Sequence, residues 1–255
     1  MKLNTIYNED CLEGMKRIPD ESVDLVVTSP PYNIGKTYGV YDDNKDFGEY
    51  TEWCRLWMNE LKRVVKNNGS IWINSGYVKT GRNQTMPLSY EYYKLMDLPM
   101  VQEVVWHYEG GMSYKKRFTH RTERWQWFSK RPSEVLFNLD DVRDLSLNRT
   151  NDKRNHPLGK NPTDYWYFDR VVGGAGKTKE KTKHPAQFPA KMVERVLKAC
   201  SKKGQLVLDP FMGSGSTAIA CLNTGRQYIG FELDETYHKL SLERIENHTQ
   251  QLSLI

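Results

Sequence analysis

The sequence predicts an α/β fold built on a mostly parallel sheet. Two apolar runs, residues 23–28 and 205–208, are short and rich in Val and Leu, which is typical of strands buried on both faces. Two longer stretches, residues 50–66 and 190–200, repeat apolar side chains at helical spacing. At 255 residues the chain is long enough for a single domain over residues 1–255.

The remaining elements follow from the same periodicity and from turn residues. Strands are predicted at residues 6–8, 70–74, 101–106, 123–128, 135–139 and 227–231. Helices are predicted at residues 12–17, 86–96 and 217–223. We expect strand 123–128 to pair with strand 135–139, and helix 50–66 to end at the Asn-Asn-Gly sequence of residues 67–69.

The composition is that of an ordinary globular protein, with 38% hydrophobic and 27% charged residues. No apolar run approaches the roughly 18 residues that cross a membrane, and the N-terminus lacks the apolar core of a signal peptide. Cys11, Cys54, Cys200 and Cys221 are isolated, so we expect buried, reduced thiols rather than disulfides or a metal site. The chain is therefore predicted to be cytoplasmic, with no membrane contact and no metal.

The net charge of +5 is unevenly distributed. Residues 110–183 contain 17 Lys and Arg against 9 Asp and Glu, whereas the rest of the chain has an acidic excess. Such a segment indicates a polyanionic partner, and a solvated basic face without a partner is the alternative. The candidate contacts are cations that neighbour aromatic or Asn side chains, and one cation in a glycine-containing loop: Lys36, Lys115, Lys116, Arg117, Arg121, Arg149, Lys153 and Arg154.

The strand at residues 23–28 runs into Ser29-Pro30-Pro31-Tyr32. Because proline cannot continue a strand ladder, the chain makes a rigid turn at the carboxyl end of a strand, where α/β sheets bind ligands. Ser29 offers a hydroxyl, Pro30 a carbonyl and Tyr32 a flat ring. The two oxygens suit an exocyclic amine, whose lone pair is delocalised until its N–H bonds find acceptors. The alternative is a proline pair that only stiffens a turn.

A second motif, Asp209-Pro210-Phe211-Met212-Gly213-Ser214-Gly215, follows the strand at residues 205–208. Its two glycines allow the backbone to approach a ligand closely, and Glu232 at the tip of the next strand suits ribose hydroxyls. The alternative is a glycine turn used for packing. A glycine-rich stretch at residues 173–178 imitates a phosphate loop, but it lacks a required glycine at position 171 and a following helix, so we reject it.

Together the two motifs resemble those of the DNA amino-methyltransferases, which methylate N4 of cytosine or N6 of adenine. In that family Ser-Pro-Pro-Tyr is catalytic, which implies this role for Ser29, Pro30, Pro31 and Tyr32. Asp-Pro-Phe-x-Gly-x-Gly binds S-adenosyl-L-methionine, an Asp-Cys pair borders its adenine and a His-Pro segment its methionine end. The resemblance implies these cofactor contacts: Asp10, Cys11, His184, Asp209, Pro210, Phe211, Gly213, Ser214, Gly215 and Glu232. Helix capping by Asp10 and an ordinary turn at His184 are the alternatives, and Phe188 stands where many members have Lys.

The order of the motifs, catalytic first and cofactor last, resembles the permuted β group of that family. The resemblance covers nearly the whole chain and implies a Rossmann-like methyltransferase fold with a seven-stranded, mostly parallel sheet and one reversed strand. It divides the chain into a basic target-recognition insertion at residues 110–183 and a cofactor-binding half at residues 184–248.

The activity that the resemblance implies is methylation of a flipped base in duplex DNA, in a restriction-modification setting. Serine before Pro-Pro-Tyr favours N4 of cytosine, with N6 of adenine as the alternative. Methylation of RNA or of a protein amide, and a non-catalytic DNA-binding subunit, are further alternatives. The expected partners are double-stranded DNA and, by resemblance, a second copy of the chain and a cognate restriction endonuclease. The expected source is bacterial, archaeal or phage.

Overall fold

The computed structural model describes residues 1–81, 84–110, 113–147, 154–172, 178 and 180–252. Its strands and helices are numbered here in chain order. They are β1 (Thr5–Asn8), α1 (Cys11–Met15), β2 (Val23–Thr28), β3 (Thr37–Tyr38), β4 (Tyr41–Asp42), α2 (Phe47–Val64), β5 (Val65–Ser75), β6 (Tyr77–Gly81), β7 (Gln84–Pro87), α3 (Leu88–Met96), β8 (Met100–His107), β9 (Thr122–Phe128), β10 (Tyr165–Tyr167), α4 (Ala190–Cys200), β11 (Leu206–Asp209), α5 (Ser216–Thr224), β12 (Gln227–Glu232) and α6 (Glu235–Leu252).

Eight strands form one sheet in the order β1-β12-β11-β2-β5-β9-β8-β10. Strand β9 is antiparallel to both of its neighbours, and the other neighbouring pairs of this sheet are parallel. The predicted α/β fold with a mostly parallel sheet is therefore confirmed. The eighth strand is β10, a three-residue strand that pairs with β8 in a stretch for which no element is predicted.

The sheet is buried on both faces because its strands send apolar side chains alternately to two clusters. In β2, Val26 belongs to one cluster, whereas Leu25 and Val27 belong to the other. The first cluster includes side chains of α1, α2 and α3, among them the fully buried Trp57. The second includes side chains of α4 and α5. Strand β2 is thereby held in the middle of the fold, with its carboxyl end at the sheet edge.

Three tryptophan rings tie the reversed strand and the edge strand to the centre of the sheet. Trp72 on β5 stacks on Trp127 of β9 with ring centroids 5.0 Å apart, and on Trp166 of β10 with centroids 5.9 Å apart. Arg195 of α4 lies over the Trp166 ring at 5.3 Å. Stacked rings of this kind contribute beyond their buried area. Part of the basic segment, residues 110–183, is thus built into the sheet.

The predicted end of helix 50–66 is wrong. Helix α2 ends at Val64 and β5 begins at the next residue, so residues 67–69 lie inside a strand. The register between β2 and β5 shifts at this point, which marks a bulge. Gly69 suits the bulge because a Cβ there would lie 2.9 Å from the carbonyl oxygen of Asp24.

The predicted strand at residues 135–139 is also wrong. Its expected partner, β9, already has β5 on one edge and β8 on the other, so no edge is left for it. The chain after β9 instead forms 3₁₀ turns at Pro132–Glu134 and Leu139–Asp141. The start of predicted helix 86–96 belongs to β7, and predicted helix 12–17 is the shorter α1.

The four cysteines are buried and free, as predicted. Within the described ranges, no helix is long and apolar enough to cross a membrane. The same residues contain no group of three His, Cys, Asp or Glu side chains that could hold a metal ion.

Candidate active site

A cleft of about 460 Å³ opens at the sheet edge where β2, β11 and β12 end. The two predicted motifs meet there because β2 and β11 are neighbours in the sheet, although they lie far apart in sequence. The cleft is lined by most of the predicted site residues: Asp10, Cys11, Ser29, Pro30, Pro31, Tyr32, Lys36, His184, Pro210, Phe211, Gly213, Ser214 and Glu232. Asp209 and Gly215 do not line it, so their predicted cofactor contacts are corrected to supporting roles.

Asp209 is a fully buried carboxylate whose oxygens are engaged by the protein. One oxygen accepts from the Thr28 hydroxyl at 2.8 Å and from the Phe211 backbone N–H at 3.1 Å, and the other accepts from the Thr217 hydroxyl at 2.6 Å. Burial raises the pKa of Asp209 to about 6 despite these hydrogen bonds. Asp209 thus joins the ends of β2 and β11 to the start of α5.

The glycines of the second motif shape a tight turn between β11 and α5. Gly213 and Gly215 have φ angles of 53° and 78°, in the left-handed region that favours glycine. A Cβ on Gly213 would lie 3.0 Å from the His184 ring. Gly215 is the N-cap residue of α5, which explains why it shapes the turn without reaching the cleft.

Glu232 places a carboxylate in the cleft at the end of β12. Its oxygens accept the backbone N–H groups of Gly213 at 2.8 Å and Asp234 at 2.9 Å. Burial raises the pKa of Glu232 to about 7, although these two hydrogen bonds favour the charged form. A second acidic side chain, Asp10, accepts the Leu12 N–H at 2.8 Å and caps α1, which confirms the capping alternative.

His184 packs against the glycine turn as a neutral ring. Burial lowers its pKa to about 4. Its Nδ1 accepts the Ala186 backbone N–H at 3.3 Å, so the proton of the neutral ring lies on Nε2. The ring meets Tyr237 edge-on with centroids 4.6 Å apart. Phe188, also in the lining, packs edge-on against Trp125.

The turn after β2 holds its polar groups in a defined arrangement. Ser29 Oγ lies 3.0 Å from Tyr32 Oη. The Pro31 carbonyl accepts the Tyr50 hydroxyl at 2.7 Å, whereas no described residue donates to the Pro30 carbonyl. Gly76 leaves room for the tyrosine ring, since a Cβ there would lie 3.1 Å from it. The turn thus presents one occupied and one available carbonyl.

Two polar residues that the motif analysis missed complete this side of the cleft. Tyr32 Oη donates to Glu123 Oε2 at 3.0 Å, and Asn74 Nδ2 donates to the same oxygen at 2.7 Å. Asn74 lies near the carboxyl end of β5. Glu123 lies at the start of β9, and because β9 is reversed its start reaches the same sheet edge. No local sequence signal marks Glu123, because its place depends on strand direction.

The loop after the turn, predicted as irregular, is an ordered hairpin over the cleft. Asp43 is buried and accepts the backbone N–H groups of Asn33 at 2.8 Å, Ile34 at 3.1 Å and Lys36 at 2.9 Å. Lys36 Nζ lies 3.5 Å from the Pro185 carbonyl oxygen. The hairpin tip is held by α6, since the Val40 N–H donates to Asp234, which also caps that helix.

The predicted DNA contacts lie mostly on exposed loop surface. Lys115, Lys116 and Arg117 are exposed, and the Arg117 guanidinium lies over the Tyr114 ring at 4.3 Å. Phe118, between these cations and the half-buried Arg121, is 99% exposed. Arg154 is exposed as well, whereas positions 149 and 153 lie outside the described residues. A further cation that sequence reasoning missed, Arg170, lines the cleft.

Comparison with known proteins gives concordant matches. A family model described as DNA methylase, N6_N4_Mtase, matches residues 23–243. The type II methyltransferase M.ScaI of Streptomyces caespitosus is 41% identical, and the match covers 97% of this chain and 83% of that protein. The DNA adenine methyltransferase YhdJ of Escherichia coli strain K12 is 32% identical over 95% of this chain and 82% of its own length.

Two solved structures share the fold. The PvuII DNA methyltransferase, described as cytosine-N4-specific, superposes with a TM-score of 0.71 at 20% identity, over 96% of this chain and 90% of that one. A DNA modification methylase of Thermus thermophilus, TTHA0409, solved in complex with S-adenosyl-L-methionine, gives a TM-score of 0.65 at 24% identity, over 94% and 92% of the two chains.

Replacement of Asp43 by Ala is expected to loosen the hairpin over the cleft. Three backbone N–H groups lose their acceptor, at a cost of about 1–3 kcal/mol. Trypsin should then cleave faster after Lys36 and Lys45 under native conditions. The exposed neighbour provides the control, Asp42→Ala, which should leave the cleavage rate near that of the unaltered protein. Equal rates for both variants would contradict the role assigned to Asp43.

Proposed function

The chain belongs to the N6/N4 DNA methylase family, and we propose that it methylates N4 of a cytosine in duplex DNA. At the level of the family it is a DNA amino-methyltransferase of the type II class that uses S-adenosyl-L-methionine. One observation carries the proposed amine chemistry: Ser29 and Pro30, two oxygen acceptors, line the same cleft as the glycine turn.

The residues around the glycine turn fit the cofactor. The turn at Gly213 allows a close backbone approach, and the Glu232 carboxylate suits the two ribose hydroxyls. Cys11 and Phe211 offer apolar surface for the adenine, and His184 borders the methionine end in our proposal. When bound, the cofactor supplies an electrophilic methyl group. Pro210, Ser214 and Asp10 are proposed as further contacts.

The turn after β2 is suited to activate an amine. In our proposal Ser29 Oγ and the Pro30 carbonyl accept the two N–H bonds of the target amino group, which favours its pyramidal, nucleophilic form. The Tyr32 ring, backed by Gly76, stacks on the base. Positioning of this kind supplies several kcal/mol towards a reaction barrier.

The choice of cytosine rests on Ser29. A neutral serine before Pro-Pro-Tyr resembles the N4-cytosine members of the family, and the PvuII enzyme with the same fold is cytosine-N4-specific. YhdJ, at 32% identity, is an adenine methyltransferase, so N6 of adenine is the second candidate. The match to a family of DNA methylases argues against RNA or a protein amide as the substrate.

The basic segment supplies a surface for duplex DNA next to the cleft. The loop with Lys115, Lys116 and Arg117 leads into the start of β9, which lies at the cleft edge. We assign these side chains, with Lys36, Arg121 and Arg154, to phosphates or base edges. An amino group is enclosed in the base stack, so the target nucleotide must flip out. The exposed ring of Phe118 is suited to contact bases near the opening.

The remaining parts of the proposal concern grouping and partners. The catalytic strand β2 comes before the basic segment, and the cofactor strand β11 comes after it, an order that supports placement in the permuted β group. On this basis residues 110–183 include the target-recognition region and residues 184–248 the cofactor half. Type II relatives support a cognate restriction endonuclease as a partner. A homodimer stays a prediction from family resemblance.

The proposal predicts N4-methylcytosine in duplex DNA that has been incubated with the protein and S-adenosyl-L-methionine. The DNA is digested to nucleosides and analysed by mass spectrometry. Ser29→Ala should lower the yield at least about 100-fold, because one acceptor of the amine is lost, while cofactor affinity by calorimetry stays unchanged. N6-methyladenine would favour the second candidate. Neither methylated nucleoside, with cofactor bound, would contradict DNA methylation.

Lys115 and Lys116 should contribute to DNA affinity through phosphates. For the double variant, Lys115→Ala with Lys116→Ala, the slope of log affinity against log salt should become shallower by about 2. Lys202 and Lys203 are exposed just before β11, at the opposite sheet edge. Their double replacement by Ala is the charge-matched control and should leave the slope unchanged. Equal slopes for the two double variants would contradict this surface assignment.

A further inference from the structure

A chain of hydrogen bonds runs from the turn after β2 into the wall of the cleft. Ser29 Oγ lies 3.0 Å from Tyr32 Oη, and Tyr32 Oη lies 3.0 Å from Glu123 Oε2, which also accepts from Asn74. These residues come from three strands or strand ends, β2, β5 and β9, and all four line the cleft.

The protons of this chain have one consistent arrangement when Glu123 is ionised. A carboxylate only accepts, so Tyr32 donates its single proton to Glu123. Tyr32 Oη then has only lone pairs for Ser29, so the Ser29 hydroxyl must be the donor at 3.0 Å. The proton of Ser29 therefore points away from the cleft, and both Oγ lone pairs remain available to an incoming N–H.

We propose that Glu123, through Tyr32, makes Ser29 an obligate acceptor for the target amine and receives the proton that this amine loses. The inference deepens the proposed function and rests on it. Glu123 is a positioning residue in the first role, because it acts on Ser29 through Tyr32. In the second role it is the final acceptor of a three-member proton relay.

The relay conserves protons and charge. The amino nitrogen uses its lone pair to bond the incoming methyl group, becomes cationic and must lose one proton. Ser29 Oγ takes this proton and passes its own to Tyr32 Oη, while Tyr32 passes its proton to Glu123 Oε2. The product amine, Ser29 and Tyr32 are neutral afterwards, and Glu123 is a carboxylic acid that returns its proton to water after product release.

The surroundings of Glu123 suit a temporary proton store. Burial raises the pKa of Glu123, whereas hydrogen bonds from Asn74 and Tyr32 and the charges of Lys36 and Arg170 hold it down. Burial also raises the pKa of Tyr32 far above its usual value, so this phenol carries a proton without ionising. Tyr38 and Tyr108 are the other titratable groups within electrostatic reach of Glu123, and the pKa of each is raised by burial.

A simpler role is available for each residue. Tyr32 could serve only as a ring on which the base stacks, and Glu123 only as an acceptor that holds the turn in place. Removal of the Tyr32 hydroxyl alone separates these accounts, because Tyr32→Phe keeps the ring but cuts the relay. Glu123→Gln keeps the size of the side chain but cannot take up the proton.

The test compares single-turnover methyl transfer across pH at saturating DNA and cofactor. At pH 8 we expect Tyr32→Phe and Glu123→Gln each to lower the rate about 10- to 100-fold, and the double variant to be no slower than either, because both cut one relay. Cofactor affinity by calorimetry and base flipping, measured by 2-aminopurine fluorescence, should stay within about twofold of the unaltered protein.

The pH profile identifies Glu123 as the proton acceptor. As pH falls through the pKa of Glu123, the unaltered protein becomes protonated there and resembles Glu123→Gln, so the ratio of their rates should fall towards one. Other titrating groups, such as Glu232, are shared by both proteins and cancel in the ratio. Tyr50→Phe removes a hydroxyl that binds the same turn at Pro31 but lies outside the relay, so its ratio should not vary with pH.

Two results would overturn the relay. One is a Tyr32→Phe rate equal to that of the unaltered protein, and the other is a Glu123→Gln ratio that stays constant with pH. The failure of the proposed function is a separate result, since the unaltered protein would then yield no methylated nucleoside at all.

Discussion

The geometry of the cleft depends on one buried carboxylate. Asp209 ends β11, and its hydrogen bonds reach the Thr28 hydroxyl at the end of β2 and the Thr217 hydroxyl in α5. A buried charge is costly unless it is fully hydrogen-bonded, so the three donors and the carboxylate require one another. The strand that carries the acceptor turn and the strand that carries the glycine turn are thereby held at one separation. Positioning of cofactor against amine follows from that bond more than from any contact within either motif.

Strand direction divides the cleft into two halves with different chemistry. Strands β1, β11 and β12 end on the cofactor side, with Glu232 and the glycine turn, and β2 and β5 end on the amine side. The reversed strand β9 begins at that same edge, which brings Glu123 into contact with Tyr32. The Asp43 hairpin extends across both halves, from Asn33 after the amine turn to Asp234 at α6. A parallel sheet thus supplies two binding turns, and its single reversed strand supplies the carboxylate between them.

Local signals in the sequence are sufficient to predict most of the elements and the motif residues. Buried strands, the Asp10 cap and the glycine turn depend on residues close together in the chain, so the sequence predicts them. It does not predict Glu123 and Asn74, because their roles arise from the order and direction of strands. For the same reason the sequence predicts a cofactor contact at Asp209, since its donor Thr28 is remote along the chain. The bulge at Gly69 resembles a helix end because both structures favour an Asn-Asn-Gly sequence.

Calorimetric titration of Thr28→Val with S-adenosyl-L-methionine tests the central role of the Asp209 link most directly. Valine keeps the shape and strand preference of threonine but leaves Asp209 without one donor, which costs about 1–3 kcal/mol. If the bond between β2 and β11 positions the glycine turn, cofactor affinity should fall at least about fivefold while circular dichroism shows an intact fold. Unchanged affinity in the folded variant would contradict the claim that Asp209 and Thr28 set the geometry of the cleft.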